Sequence, residues 1–364
     1  MKRRYLIALS IVCVLFVNSC GSDDTNNVPS DALERNFDMG FTSWSFGATQ
    51  QDVDDTYAFI GEHATIYAEH VDNQIPWNAW TNDLMLPVDF TNEITGRAAK
   101  KIAGKKLLLS VSLLNSNRDD LAADVDGSAP SYSTINDLEI EDAYTKHVQY
   151  LVDQFLPDYL VIAIEVNELR LRSSDKWEGY QALIQKVTSR IKDVYPDLPI
   201  SASISLHNLF EPTVDDPASY INDIISHMNQ LDFVAISYYP FLKDQKTSNE
   251  FQQMLDFLHG RVSQPIAFVE TSHLAEDLII PNLNVSITGT PEEQNTYLET
   301  LLVNAREQDY EFVIWWAHRD YDALWETFPT EVKDVGQIWR DTGLLDENGL
   351  ERPAFSTWKT ALGG

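Results

Sequence analysis

Tyr159-Leu-Val-Ile-Ala-Ile-Glu-Val-Asn-Glu168 is the stretch on which the fold turns. Its residues Leu160–Ile164 are apolar without interruption, and a run of that kind suits a parallel strand covered on both faces. Longer stretches with apolar residues three and four apart lie on either side. Glu141–Phe155 precedes the run and Tyr180–Val194 follows it, and both read as helices.

The alternation continues in both directions. Strands are expected at Asp38–Phe46, Ala64–Val71, Lys106–Leu113, Tyr159–Val166, Ile200–Leu206, Phe233–Tyr239, Pro265–Thr271 and Phe312–Ala317. Further helices are expected at Asp52–Gly61, Asn92–Ala103, Pro217–Asn229, Asn249–His259 and Pro291–Gln308. About eight β/α units within residues 37–364 predict an α/β fold, a single (β/α)8 TIM barrel. An open doubly wound sheet is the alternative. Against it, Phe46-Gly47-Ala-Thr49 carries one glycine after the first strand, not a dinucleotide fingerprint.

In a barrel the C-terminal ends of the strands converge on one face, where reactive groups are placed. The chain puts Trp44 after the first strand; His70, Asp72, Trp77 and Trp80 after the second; and Asn115 and Asn117 after the third. Asn167-Glu168 end the fourth, His207-Asn208 the fifth, and Tyr238-Tyr239-Pro240 the sixth. Glu270 ends the seventh with His273 beyond it, and Trp315-Trp316 and His318 end the eighth. Aromatic, amide and imidazole groups around two carboxylates suit a sugar. Aromatic faces stack on the apolar side of a pyranose while Asn, His and Tyr bind its hydroxyls. Strands four and seven face one another across an eight-strand mouth, so Glu168 and Glu270 could flank one glycosidic bond. One would protonate the leaving oxygen and the other would attack the anomeric carbon.

Other carboxylates and histidines receive plainer readings. Glu165 shares strand parity with Asn167, which turns it toward the barrel interior to pair with a polar neighbour. Glu69 also lies on a strand, and neither is assigned as a catalyst. His70, His207, His273 and His318 have no short metal-ligand spacing, so no metal and no cofactor is expected. The stretch Arg118–Asp126 reads as a solvated loop without the spacing of a calcium loop. No Gly-x-Ser-x-Gly turn ends a strand, which disfavours a Ser/His/Asp esterase.

Val166-Asn-Glu168, Phe268-Val-Glu270 and the intervening Phe233-Val-Ala-Ile-Ser-Tyr-Tyr-Pro240 together resemble the retaining (β/α)8 glycoside hydrolases of clan A. The Ser-Tyr-Tyr-Pro run with Val269-Glu-Thr271 is most similar to endo-β-1,4-galactanases of family 53. The resemblance implies that Glu168 is the acid/base, Glu270 the nucleophile and Asn167 a ligand of the 2-hydroxyl. It further implies that Tyr238 or Tyr239 orients Glu270. Trp316, or failing it Trp315, would form the sugar platform, with His207 lining the same subsite. The chain departs from the galactanase pattern in two places. Strand two ends Tyr67-Ala-Glu-His70 without an arginine, leaving His70 or another cation to keep Glu270 ionised, and Val166 stands where a glycine precedes the Asn-Glu pair.

The amino terminus addresses location. Lys2-Arg3-Arg4 followed by the apolar run Tyr5–Val17 has the layout of a secretory signal, too short for a membrane span. Val17-Asn-Ser-Cys20 resembles a lipobox. Residues 1–19 are therefore expected to be a lipoprotein signal peptide, with Cys20 lipidated and residues 20–36 a flexible acidic tether. Asp23-Asp24 resembles the export tag of Bacteroidetes surface lipoproteins. The body, residues 37–364, is then expected to be a monomer on the outer membrane, at the cell surface, held to the membrane by lipid alone. The chain carries 26 Lys and Arg against 56 Asp and Glu, a net charge of −30, which disfavours nucleic acid as a partner. The expected partner is a β-linked oligo- or polysaccharide. The rival reading is a non-catalytic glycan-binding lipoprotein on the same scaffold.

Overall fold

Eight parallel strands follow one another around a ring in the computed structural model, which describes residues 35–72 and 74–363. They are β1 (Asp38–Thr42), β2 (Ile66–Val71), β3 (Lys106–Val111), β4 (Tyr159–Val161), β5 in two pieces (Ile200–Ser201 and Ser203–Ser205), β6 (Val234–Tyr238), β7 (Ile266–Thr271) and β8 (Phe312–Trp315). Each strand pairs with the next, and β8 returns to β1 with Asp38 opposite Phe312. The first piece of β5 pairs with β4 and the second with β6, so Ala202 is the joint across which the ring closes. This is a (β/α)8 barrel. The expected signal, Cys20 and nearly all of the tether lie outside the described residues.

Side-chain alternation sorts each strand into an inner and an outer set. Ile66, Ala68, Leu108, Val161, Ala235, Ala267, Val269, Phe312 and Ile314 form one buried cluster, which fills the ring. Their neighbours Tyr67, Leu107, Leu109, Leu160, Val234, Ile236, Phe268 and Val313 belong to the larger cluster that faces the helices.

The helices between strands are α1 (Gln50–His63), α2 (Trp77–Thr81), α3 (Val88–Ala98), α4 (Leu138–Phe155), α5 (Asn167–Arg172), α6 (Trp177–Val194), α7 (Leu206–Leu209), α8 (Pro217–Met228), α9 (Ser248–His259) and α10 (Pro291–Glu307). The long ones match the expected segments to within a few residues. The largest shift is in α3, which starts four residues early, directly after Pro87, and ends at Ala98. Pro87 sits outside the helix, where its fixed φ and missing N–H cost nothing.

All eight strands are shorter than expected, β1 by four residues and β4 by five. Regular pairing in β4 stops at Val161, although backbone bonds from Ile162 N to Ser201 O (2.8 Å), Ser203 N to Ala163 O (2.8 Å) and Val166 N to Ser203 O (2.9 Å) extend its contact with β5. Glu165 then adopts a left-handed backbone, φ 52°, and the chain turns into α5. The strand β8 ends at Trp315, not Ala317. Beyond it the chain makes a long excursion through α11 (Asp322–Trp325) and α12 (Thr330–Gly336) before α13 (Pro353–Leu362) packs against α10. A two-stranded hairpin, Leu278–Ile280 with Val285–Ile287, stands on the loop after β7.

Candidate active site

A cavity of about 830 Å³ opens at the C-terminal end of the strands. Its lining includes Trp44, His70, Asp72, Arg118, Glu165, Glu270, Trp316, Tyr321, Phe328 and Trp339. Glu270, next to last in β7, is gripped from two sides. The Tyr239 hydroxyl donates to its Oε1, and His70 Nε2 lies 3.1 Å from its Oε2. His70 is next to last in β2. Tyr239 is therefore the tyrosine on Glu270. Tyr238 turns away, fully buried, and donates to Gln245 Oε1 at 2.7 Å.

Glu165 also reaches the cavity. Its Oε1 accepts from Ser237 Oγ at 2.9 Å and its Oε2 lies 3.6 Å from Arg118 Nε. Burial pushes its carboxyl up to about 7. Arg118 and the Ser237 hydrogen bond oppose that rise, while the charges of Glu270 and Glu168 add to it.

Glu168, expected here, is elsewhere. It sits in the first turn of α5, 4% exposed, with both oxygens occupied. Ser205 Oγ (2.6 Å) and Asn208 Nδ2 (2.7 Å) donate to Oε1, and Arg172 Nη2 (2.9 Å) donates to Oε2. Asn167 is wholly buried. Its Nδ2 donates to Ser205 O (3.1 Å) and Tyr220 OH (3.0 Å), and its Oδ1 accepts from Ser205 N (2.8 Å), so its amide is spent inside the protein. The cause is local. The left-handed residue at 165 aims that side chain into the mouth, and the helix that starts two residues later carries 167 and 168 back against β5 and α7.

The remaining expected residues divide. Trp44 and Trp316 line the cavity with ring centroids 5.5 Å apart, and the Trp316 ring meets His70 edge-on at 5.6 Å. Trp315 points the other way, fully buried, with Nε1 donating to Thr342 O at 2.9 Å. Trp77 donates to Ala122 O at 2.8 Å and packs on Tyr144, which makes it a core residue. Trp80 likewise donates to His147 Nδ1 at 3.2 Å. His207 is buried near Tyr239, outside the cavity lining, and burial lowers its pKa to about 4. His273 bonds the carbonyls of Leu274 and Gln245, and His318 is buried among Phe41, Phe46 and Phe59. Glu69 pairs with Arg97 at 2.7 Å and accepts from the Tyr57 hydroxyl, so it is structural.

The reading from sequence missed Arg118, Tyr321, Phe328 and Trp339. Arg118 was expected in a solvated loop but is 8% exposed and bidentate to Asp72. The other three come from the excursion after β8, whose aromatic density was the available signal. Among the described residues, Glu276, Asp320 and Glu347, or Asp320, Asp322 and Asp341, approach closely enough to share a cation. Arg352 pairs with Glu276 and Asp320, and Arg340 with Asp322 and Asp341.

Residues 139–357, more than half of the chain, match the profile of Glycosyl hydrolase family 53. No curated protein sequence matches the chain. Among solved structures, the family 53 catalytic domain of Ignisphaera aggregans superposes with a TM-score of 0.58 at 17% identity, covering 92% of this chain and 98% of that one. A fungal β-1,4-galactanase gives 0.55 at 15% identity over 84% and 90%. An exo-β-1,4-mannosidase from Opitutaceae bacterium strain TAV5 gives 0.64 at 10% identity over 90% of this chain, which spans 59% of that chain's length. At these identities the likeness is one of fold.

Proposed function

The chain belongs to glycosyl hydrolase family 53, and from that premise we propose that it hydrolyses β-linked glycans, galactan or a related β-1,4-glycan, with retention of configuration. Glu270 attacks the anomeric carbon while Glu165 protonates the leaving oxygen. Glu165 then takes a proton from the water that releases the glycosyl-enzyme. The observation that carries this reading is that Glu165 and Glu270 line one cavity, and each keeps capacity to accept further hydrogen bonds. Glu168 is outside the cavity lining and already accepts from Ser205, Asn208 and Arg172. The two roles suit the two environments. Burial keeps Glu165 able to hold a proton near neutrality, whereas Tyr239 and His70 both address the Glu270 carboxylate. Trp44 and Trp316 offer the aromatic faces for the sugar.

The protein acts, on this reading, as a monomeric exported lipoprotein held at the bacterial surface through Cys20, and uses no cofactor. Replacing Cys20 by Ala should release it from the membrane fraction.

The test is a reducing-end assay on galactan, β-glucans, mannan and xylan. E165Q is expected to lose roughly 10²–10⁴-fold in activity. E270Q should fall to background, and E168Q should retain measurable hydrolysis if it folds. A wild type that binds these glycans and releases no new ends would favour the non-catalytic reading. Activity retained in E165Q and lost in E168Q would reverse the assignment of the acid/base.

A further inference from the structure

Arg118 has no part in the mechanism above, although it lines the same cavity. Its guanidinium fork is spent on Asp72, with Nη1 3.2 Å from Oδ1 and Nη2 2.9 Å from Oδ2. Nη1 also reaches Ser112 Oγ (3.4 Å) and Asn115 O (3.2 Å). The remaining donor, Nε, is buried without a hydrogen-bond partner, 3.6 Å from Glu165 Oε2. That separation is too long for a hydrogen bond and short enough for strong Coulomb attraction. Both residues also have left-handed backbones, φ 55° at Arg118 and 52° at Glu165, a costly conformation that clusters at functional sites.

We propose that Arg118, clamped by Asp72, is a positioning residue that decides how readily Glu165 gives up its proton. The inference rests on Glu165 being the acid/base. A guanidinium fork bonded directly to Glu165 would hold it ionised, with no proton to donate. With no cation nearby, Glu165 would face burial and two anions, Glu270 from β7 and Glu168 from α5, and would resist ionising in the second step. Asp72 takes the fork and leaves one edge of the cation toward Glu165, which lies between these extremes. The other polar groups around this pair are the Ser237 hydroxyl from β6, the Tyr239 phenol just beyond it, and His70 from β2, which acts on Asp72 and Glu270. Arg118 is the cation that opposes the burial of Glu165.

The test is a pH titration of the full chain carrying ¹³C-carboxyl glutamate, followed by NMR, with the Glu165 resonance identified by its absence in E165Q. R118M is expected to raise the Glu165 midpoint by about one to three pH units, and D72N, which frees the fork, to lower it by a similar amount. R118K should restore much of the wild-type value. D72N/R118M removes both halves of the ion pair and should follow R118M. D72N keeps the cation, so it carries the test if the Met variants do not fold. Midpoints unmoved in folded variants, or a loss of melting temperature with no shift in titration, would make Arg118 a structural residue and overturn the proposal. Hydrolysis by E165Q decides the acid/base reading separately. An inactive E165Q with an unmoved Glu165 midpoint in R118M refutes this inference alone.

Discussion

At Glu165 a left-handed backbone turns the side chain into the cavity, where burial pushes its carboxyl up to about 7. Two consequences follow for pH. The protonated form is the one that can serve the leaving group, so kcat/KM should fall as pH rises through about 7, and E165Q should lack that limb. The effect on stability has the same sign. The folded state binds this proton more tightly than the unfolded chain, so the contribution is complete below the ordinary glutamate range and is lost as pH rises through about 7. Thermal melts between pH 4 and 8 should show a shallower decline in E165Q than in wild type. Tyr239 offers a second check. Y239F removes a hydrogen bond to a charged carboxylate, worth about 1.5–3 kcal/mol, so a roughly 10- to 100-fold loss in kcat/KM with KM little changed is expected. Equal kinetics in Y239F would mean that His70 alone positions Glu270.

The elements owe their places to close backbone approach and to caps. Gly40 in β1 is paired with Ile66 of β2, and a Cβ there would stand 1.7 Å from the Ile66 carbonyl oxygen. G40A must push the two strands apart, at an expected cost of about 1–3 kcal/mol or more, read as a fall in the urea midpoint. The start of α1 is fixed by a reciprocal pair in which Thr49 accepts from Asp52 N and Asp52 accepts from Thr49 N. T49A should cost about 1 kcal/mol and leave the cavity intact. At this scale the sequence was most legible where one force dominated. Runs such as Leu107–Leu109 and Val234–Ile236 could hardly be anything but buried strands. It was least legible after Trp315, where α11, α12 and the hairpin Leu278–Ile280/Val285–Ile287 are short and take their form from the barrel rim they pack on.

Across the whole molecule, the excursion after β8 is tied down by one buried cation. Arg352, just before α13, bonds both oxygens of Asp320 (2.8 and 2.6 Å), the Gly343 carbonyl (2.9 Å) and Glu276 of the loop after β7 (2.6 Å). R352M would leave Asp320 buried and unpaired, and the expected loss is about 3–5 kcal/mol. A melting temperature unchanged in R352M would show that the excursion is held without this cation. Because this excursion supplies Tyr321, Phe328 and Trp339, the same variant should weaken substrate binding more than it alters turnover.

The closed ring, the barrel mouth as the place for chemistry, and Glu270 at the end of β7 were all contained in the sequence, because apolar runs and their spacing report burial directly. The choices between near neighbours were not. Whether Glu165 or Glu168 faces the cavity, whether Tyr239 or Tyr238 reaches Glu270, and whether Trp316 or Trp315 lines the mouth each follows from the direction of a side chain. That direction depends on a left-handed turn at 165, a register shift between β6 and β7 after Ile236, and the early end of β8. Such features are fixed by partners far along the chain, so residues of one type a few positions apart look alike until the tertiary structure orients them.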